Sequence, residues 1–476
     1  MSSSQPPITA EQLAALSPEF RALLQAVIDH YEARIAVLEA RIVELERQLP
    51  KTPQNSSLPP STQHPHARPK PKKPRSKRQR GGQPGHTKHE RPLLPTEECD
   101  DVQPLKPSEC RRCGGKLTGC DTEPLRHQVW ELPEIKPLVT EYQRHRLTCG
   151  DCGETTCAEL PPGVPQGQSG PRLVAFSGLL MAYFRQSKRR TALFLSALLN
   201  QPCSTGLTVK MQQQVTAALR APYEELVSQL PAQPRLGMDE SPTKQAPHKA
   251  WLWTAVAATF TVFGVRLSRA ATLLEEWLGD EFAGVISCDR AKMYWAHGRL
   301  QWCWAHLRRD FQSLVDSGDG KAKRLGHDLL RPTGEMFSLW ARYRDGTLTH
   351  RSWLRAMQPI RQQIDSLLLR GAFSESPRLR NMCGPLYEHR QRLWTFLEVA
   401  GIEPTNNASE RALRHAVIWR KLSFGTQSAA GSRFVETMLT TIETCRQQDL
   451  NVFAFVTAAV AAHFASQPAP SLLPRV

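Results

Sequence analysis

Two Cys-x-x-Cys pairs, Cys110-Arg-Arg-Cys113 and Cys149-Gly-Asp-Cys152, stand 35 residues apart, and each is followed by glycine. Two thiolates can wrap one side of a tetrahedral ion, and four close its coordination shell, so the spacing predicts a structural Zn²⁺ held by Cys110, Cys113, Cys149 and Cys152. The competing reading is four unmetallated thiols. Residues 128–148, QVWELPEIKPLVTEYQRHRLT, carry β-rich alternation that predicts a hairpin between the pairs, giving a zinc ribbon-like module. Cys99, Cys120, Cys157 and His127 lie near enough in sequence to be substitute ligands.

The 12 cysteines could suggest disulfides, but the start, MSSSQPPITA, lacks the basic residues and apolar core of a signal peptide. No apolar run approaches the roughly 20 residues that cross a bilayer, so a cytoplasmic chain without a membrane partner is expected. The 61 Lys and Arg against 45 Asp and Glu leave a formal charge of +16. A polyanion is therefore the first partner to consider, with an anionic membrane surface as its rival.

Apolar residues recur in steps of four and three from Leu24 to Leu49. Ile28, Ile35, Ile42 and Leu49 take the a positions of a heptad and Leu24, Tyr31, Leu38 and Leu45 the d positions, a pattern that favours a parallel dimer. A single amphipathic helix packed on its own domain is the alternative. Pro50 ends the helix. Beyond it, Arg68, Lys70, Lys72, Lys73, Arg75, Lys77, Arg78 and Arg80 place eight cations within thirteen residues of a proline-rich linker, without an acid among them. Such a strap suits DNA phosphates, although charge runs are also common as solvated tails. Short helices are expected over residues 171–230, either a helix-turn-helix reader of DNA or plain packing helices.

The stretch FAGVISCDRAKMYW, residues 282–295, is an apolar run that stops at Asp289. Alone, Asp289 reads as a turn former. Upstream, RLGMDES puts Asp239 near the end of a short strand, KAWLWTAVAAT and FTVFGVRLS read as a hairpin, and ATLLEEWLGD reads as a helix. Three strands, a helix and a further strand are the order of the ribonuclease H fold, in which the first and fourth strands are neighbours. Asp239 and Asp289 then share one site. Glu410, early in the helix of NNASERALRHAVIWRK, is a candidate third carboxylate, with helix-dipole or capping duty as its alternative. Arg411, Arg414, Arg420 and Lys421 follow it as candidate phosphate contacts.

Taken together, the heptad seam, QNSSLPPST, GGQPGH, both Cys pairs, MDES, AWLW, CDRAKMY, CWAHLRRDF, NNASERALR, WRKLSFG and TIETC make the chain resemble transposases of the insertion sequence 66 family. These are bacterial DDE enzymes with a ribonuclease H-like catalytic domain. The resemblance implies a multidomain chain: a coiled coil at 8–50, a basic linker at 51–94, a zinc-binding domain at 95–165 and a helical region, a candidate DNA reader, at 166–232. A catalytic domain at 233–312 and 401–448 then surrounds a helical insertion at 313–400, before a helical segment and tail at 449–476. It implies Asp239, Asp289 and Glu410 as the catalytic triad, and Cys303 and His306 of CWAH are read as supporting the fold. Three sparse carboxylates suit Mg²⁺ or Mn²⁺, two of which would activate water or a 3′ hydroxyl and stabilise the departing oxygen. The expected function is metal-dependent cleavage at element ends followed by strand transfer. Expected partners are DNA, a second copy of the chain and candidate accessory proteins of the same element. A nuclease without strand transfer and an inactive DNA-binding regulator remain the alternative readings.

Overall fold

The computed structural model describes residues 17–48, 91–296 and 299–474. The basic run Arg68, Lys70, Lys72, Lys73, Arg75, Lys77, Arg78 and Arg80 lies outside the described residues, as do residues 8–16, 49 and 50 of the expected coil. The described part falls into two units, one comprising residues 17–48, 161–187 and 209–474 and the other 91–160 and 188–208. No described helix is long and apolar enough to cross a membrane.

The second unit contains both Cys pairs. Strand β1 (Arg146–Thr148) pairs antiparallel with β2 (Thr155–Cys157) across the second pair. Residues 128–145 hold no regular structure, which corrects the expected hairpin. Pro133 and Pro137 remove backbone donors from that alternating stretch, so it cannot sustain a ladder. Asn200, after the helix Lys188–Leu198, donates instead to the Ile135 carbonyl at 3.0 Å.

The first unit is built on five strands: β3 (Arg235–Gln245), β4 (His248–Val256), β5 (Thr261–Arg266), β6 (Val285–Cys288) and β7 (Leu300–Trp302), with the helix Thr272–Leu278 between β5 and β6. They lie in the order β5-β4-β3-β6-β7. The antiparallel β3–β4 ladder runs from Gly237 opposite Val256 to Gln245 opposite His248. Asp239 is therefore mid-strand and not near the end of a short one. The parallel β3–β6 ladder stops at Gly237, which leaves that side of the strand open and lets Pro242, with no N–H to donate, sit within it. Trp253, Trp277, Trp302 and Trp304 are buried in the core around this sheet.

The β5 edge is closed along its length, and the β7 edge is met at Leu300, by groups other than strands. On β5, Thr261 N donates to Thr444 Oγ1 at 3.1 Å, Phe263 N to Thr440 Oγ1 at 2.9 Å and Val265 N to Glu436 Oε1. The three acceptors recur every fourth residue of the helix Ala429–Gln447. Four helical residues rise about 6 Å, close to the span of two strand residues, so the helix presents one acceptor for each outward N–H. At β7, Thr395 Oγ1 donates to Leu300 O at 2.6 Å, while Gln301 Nε2 and Trp304 Nε1 donate to Leu393 O at 3.2 and 2.7 Å. These bonds fix the end of a helical segment whose members are Gly320–Arg344, His350–Ala372 and Pro377–Glu388. Within it, Trp353 stacks on Tyr343 with ring centroids 4.4 Å apart.

The helix Pro18–Gln48 belongs to neither sheet edge, and Tyr31, Ile35 and Leu38 of its seam are exposed.

Glu436 is the costly member of the β5 cover. Burial pushes its carboxyl from the ordinary 4.5 up to about 7, against the pull of Arg433 and Arg266. A raised acid binds its proton more tightly when folded, so its stabilising contribution is complete below pH 4.5 and is lost as pH rises through 7. Denaturant titrations from pH 5 to 8 should show wild type losing up to about 3 kcal/mol relative to Glu436→Gln, which keeps the acceptor for Val265 without the charge. Parallel curves for the two proteins would contradict this account.

Candidate active site and metal-binding residues

The β3–β6 register sets the first two acids. Arg235, Leu236 and Gly237 lie opposite Val285, Ile286 and Ser287, and the same fifty-residue offset carried forward places Asp239 level with Asp289. Asp289 follows directly on β6, and its Oδ1 accepts from Ala291 N at 2.8 Å, so it also makes the turn that its residue type favours.

Glu410 reaches the same place through the start of the helix Asn407–Ser423. Asn406 Nδ2 donates to the Met238 carbonyl at 2.7 Å, its Oδ1 accepts from Ser409 Oγ at 2.8 Å, and its backbone N donates to Cys303 Sγ at 3.2 Å. Thus the open side of β3 is filled by an amide. The approach is close: a Cβ on Gly237 would stand 2.5 Å from Ser409 Oγ and 3.0 Å from Asn406 Oδ1.

Charge gathers here. Burial, followed by the fields of Glu240, Asp289 and Glu410, holds the Asp239 carboxyl well above the ordinary carboxylate range. Burial and Asp289 also raise Glu240, whose partners are Tyr294, donating at 2.6 Å, and Arg269. Glu410 is raised by burial against the opposing fields of Arg309 and Arg414. Crowded acids of this kind favour a cation between them. Arg290, next to Asp289, is committed to Asp310.

One oxygen of Glu410 stands apart. Oε1 is buried without a hydrogen-bond partner, 3.5 Å from His306 Nδ1 and 3.6 Å from Arg309 Nη2. His306 is neutral near pH 7, its pKa lowered to about 3 by burial and by Arg309 and Arg290. Farther along the helix, Arg411, Arg414 and Lys421 are exposed, whereas Arg420 is bound to Ser241 Oγ at 3.1 Å and to the Pro242 carbonyl.

In the other unit each Cys pair forms its own knuckle. Gly114 N donates to Cys110 O at 2.9 Å and Gly153 N to Cys149 O at 3.0 Å, with both glycines at positive φ. Backbone N–H groups of Arg112 and Cys113 lower the Cys110 thiol pKa, and those of Cys152 and Asp151 do the same for Cys149, which suits metal-binding thiolates. Among the described residues, the group of three or more ligand side chains whose atoms lie within 4.8 Å of one another is Cys303, His306 and Glu410. Neither the four knuckle cysteines nor the three acids are drawn that close. The wider spread of the acids suits ions bridged between carboxylates better than a closed cage.

Gly237, Glu240 and Asn406 carry no role in a reading of the sequence by itself. Two of them had a signal: MDES sets Glu240 beside Asp239, and NNASE puts Asn406 directly before the helix that carries Glu410, whereas nothing local marks Gly237.

Residues 168–433, more than half of the chain, match the model of the transposase IS66 family. Residues 107–153 match the zinc-finger binding domain of transposase IS66, and residues 5–92 match a family of unknown function. Two similar proteins from Sinorhizobium fredii (strain NBRC 101917 / NGR234) are the uncharacterized proteins y4hP and y4qI. The first is 24% identical over 407 residues, covering 77% of this chain and 72% of its own length. The second is 24% identical over 394 residues, covering 74% and 69%.

The close approach at Gly237 can be probed directly. Gly237→Ala should cost about 1–3 kcal/mol by forcing the Asn406 turn away from β3. Ser409→Ala in the same chain should recover part of that loss, because it removes the nearest obstructing atom. Strictly additive unfolding free energies for the two changes would show that they do not meet.

Proposed function

The chain belongs to the IS66 transposase family, and from that membership we propose that it cuts DNA at the ends of a mobile element and joins them to target DNA, using Asp239, Asp289 and Glu410. The observation that carries this reading is the convergence on β3: its register against β6 aligns two acids, and Asn406 on the Met238 carbonyl brings the third. The strand order β5-β4-β3-β6-β7 supports a ribonuclease H-like catalytic domain.

Divalent ions such as Mg²⁺ or Mn²⁺, when held by these carboxylates, supply the charge that activates water or a 3′ hydroxyl and stabilises the departing oxygen. The protein's own residues supply placement. Arg269 and Tyr294 hold Glu240, Asn406 fixes the Glu410 helix, and Arg309 and Arg414 flank Glu410. Arg411, Arg414 and Lys421 form a phosphate track along that helix, and Arg420 braces it against β3. The knuckles of Cys110–Cys113 and Cys149–Cys152 hold Zn²⁺ as a structural element of the zinc-finger region. The exposed seam through Tyr31, Ile35 and Leu38 pairs with a second copy as a parallel coil.

Asp239→Asn, Asp289→Asn and Glu410→Gln each remove a charge while nearly preserving side-chain volume. Each should leave DNA binding intact and lower Mg²⁺-dependent nicking of an end-bearing duplex by about a thousandfold or more. Undiminished nicking by Asp289→Asn would leave its carboxylate as a turn former alone. Nicked ends that never appear as joined products would indicate a nuclease.

Deleting residues 68–80 should weaken DNA binding and flatten its salt dependence by about 0.9 log units for each phosphate that the run neutralises. An unaltered slope would assign that run to solvent.

A further inference from the structure

The geometry points to a second metal site in the catalytic unit: Cys303, His306 and Glu410 form a three-ligand pocket for a thiophilic divalent cation of the zinc class. Their ligand atoms lie within 4.8 Å of one another. The His306 Nδ1 to Glu410 Oε1 separation of 3.5 Å is long for a hydrogen bond, and both atoms are buried without a hydrogen-bond partner, with the Arg309 guanidinium 3.6 Å from Oε1 as an ion pair. It matches a different geometry. Two ligands bound to one tetrahedral ion at about 2.0–2.2 Å stand about 3.3–3.6 Å apart.

The Cys303 thiol accepts backbone N–H groups as the knuckle cysteines do, but burial outweighs them and pushes it up to about 11, so the ion must displace its proton. Cys303 follows β7, is 2% exposed, and receives backbone N–H groups from Asn406, His306 and Ala305. Cys110 and Cys149 receive N–H groups from the corresponding residues of their own loops. CWAH is thus a half-knuckle in which histidine replaces the second cysteine and a helix 107 residues downstream supplies the third ligand. Thiolate and carboxylate together balance a divalent charge, and the thiol proton leaves to solvent. A thiolate–imidazole–carboxylate set selects zinc over Mg²⁺, which favours oxygen ligands alone.

This site shares Glu410 with the proposed catalytic centre, so its test avoids DNA and turnover. Full-length wild type, Cys303→Ser and His306→Asn are equilibrated with zinc, freed of loosely held ion and assayed for metal per chain. The knuckles are unchanged in all three. Wild type should retain one zinc per chain more than either variant, and cobalt loading should give weaker thiolate-to-metal absorption in Cys303→Ser than in wild type. If the serine variant misfolds by circular dichroism, His306→Asn gives the same reading from a residue outside the deep core. Equal zinc content in wild type and a folded variant would overturn the assignment, whether or not the protein nicks DNA.

Discussion

Strand β3 has two neighbours of unequal length, and the site grows out of that inequality. Its antiparallel partner β4 accompanies it to Gln245, but its parallel partner β6 leaves after Gly237. A buried carbonyl beyond that point needs a donor, and Met238 finds one in Asn406. Meeting this backbone requirement brings in the first turn of the next helix, and Glu410 with it. The proposed site is coupled here to hydrogen-bond satisfaction: the strand residue that needs a partner directly precedes the first acid.

The same requirement shapes the rest of the sheet. A five-stranded sheet exposes two edges, and unpaired edges invite other strands. On β5 a helix provides hydroxyl and carboxylate acceptors in step with the strand, and on β7 the Thr395 hydroxyl donates to the Leu300 carbonyl. Glu436 shows the tension in this solution, since its acceptor oxygen is useful while its charge is poorly accommodated.

Local patterns made much of this legible. Alternating and β-branched residues marked β4 and β5, and the abrupt end of an apolar run marked β6 and the position of Asp289. Glycines after both Cys pairs signalled the knuckle turns. What stayed hidden depends on partners distant in the chain: Asn406 meets Met238 across 168 residues, and Thr440 meets Phe263 across 177. Arg420 resembles its exposed neighbours Arg411 and Arg414 in sequence, but it faces β3. The alternation in residues 128–148 misled because two prolines deny that stretch the donors a hairpin needs.

The distance between β5 and its cover also has a consequence in time. The strand leaves the ribosome well before the residues that close its edge, 171 to 183 positions later. At about 5–20 residues per second, that edge waits roughly ten to thirty-five seconds for its cover. Glu410 arrives late in the same interval, so a nascent or prematurely terminated chain has an open edge before it has three acids. Such fragments are suited to capture by chaperones or by one another, while the proposed site is complete only in chains translated past Glu410 and the cover of β5.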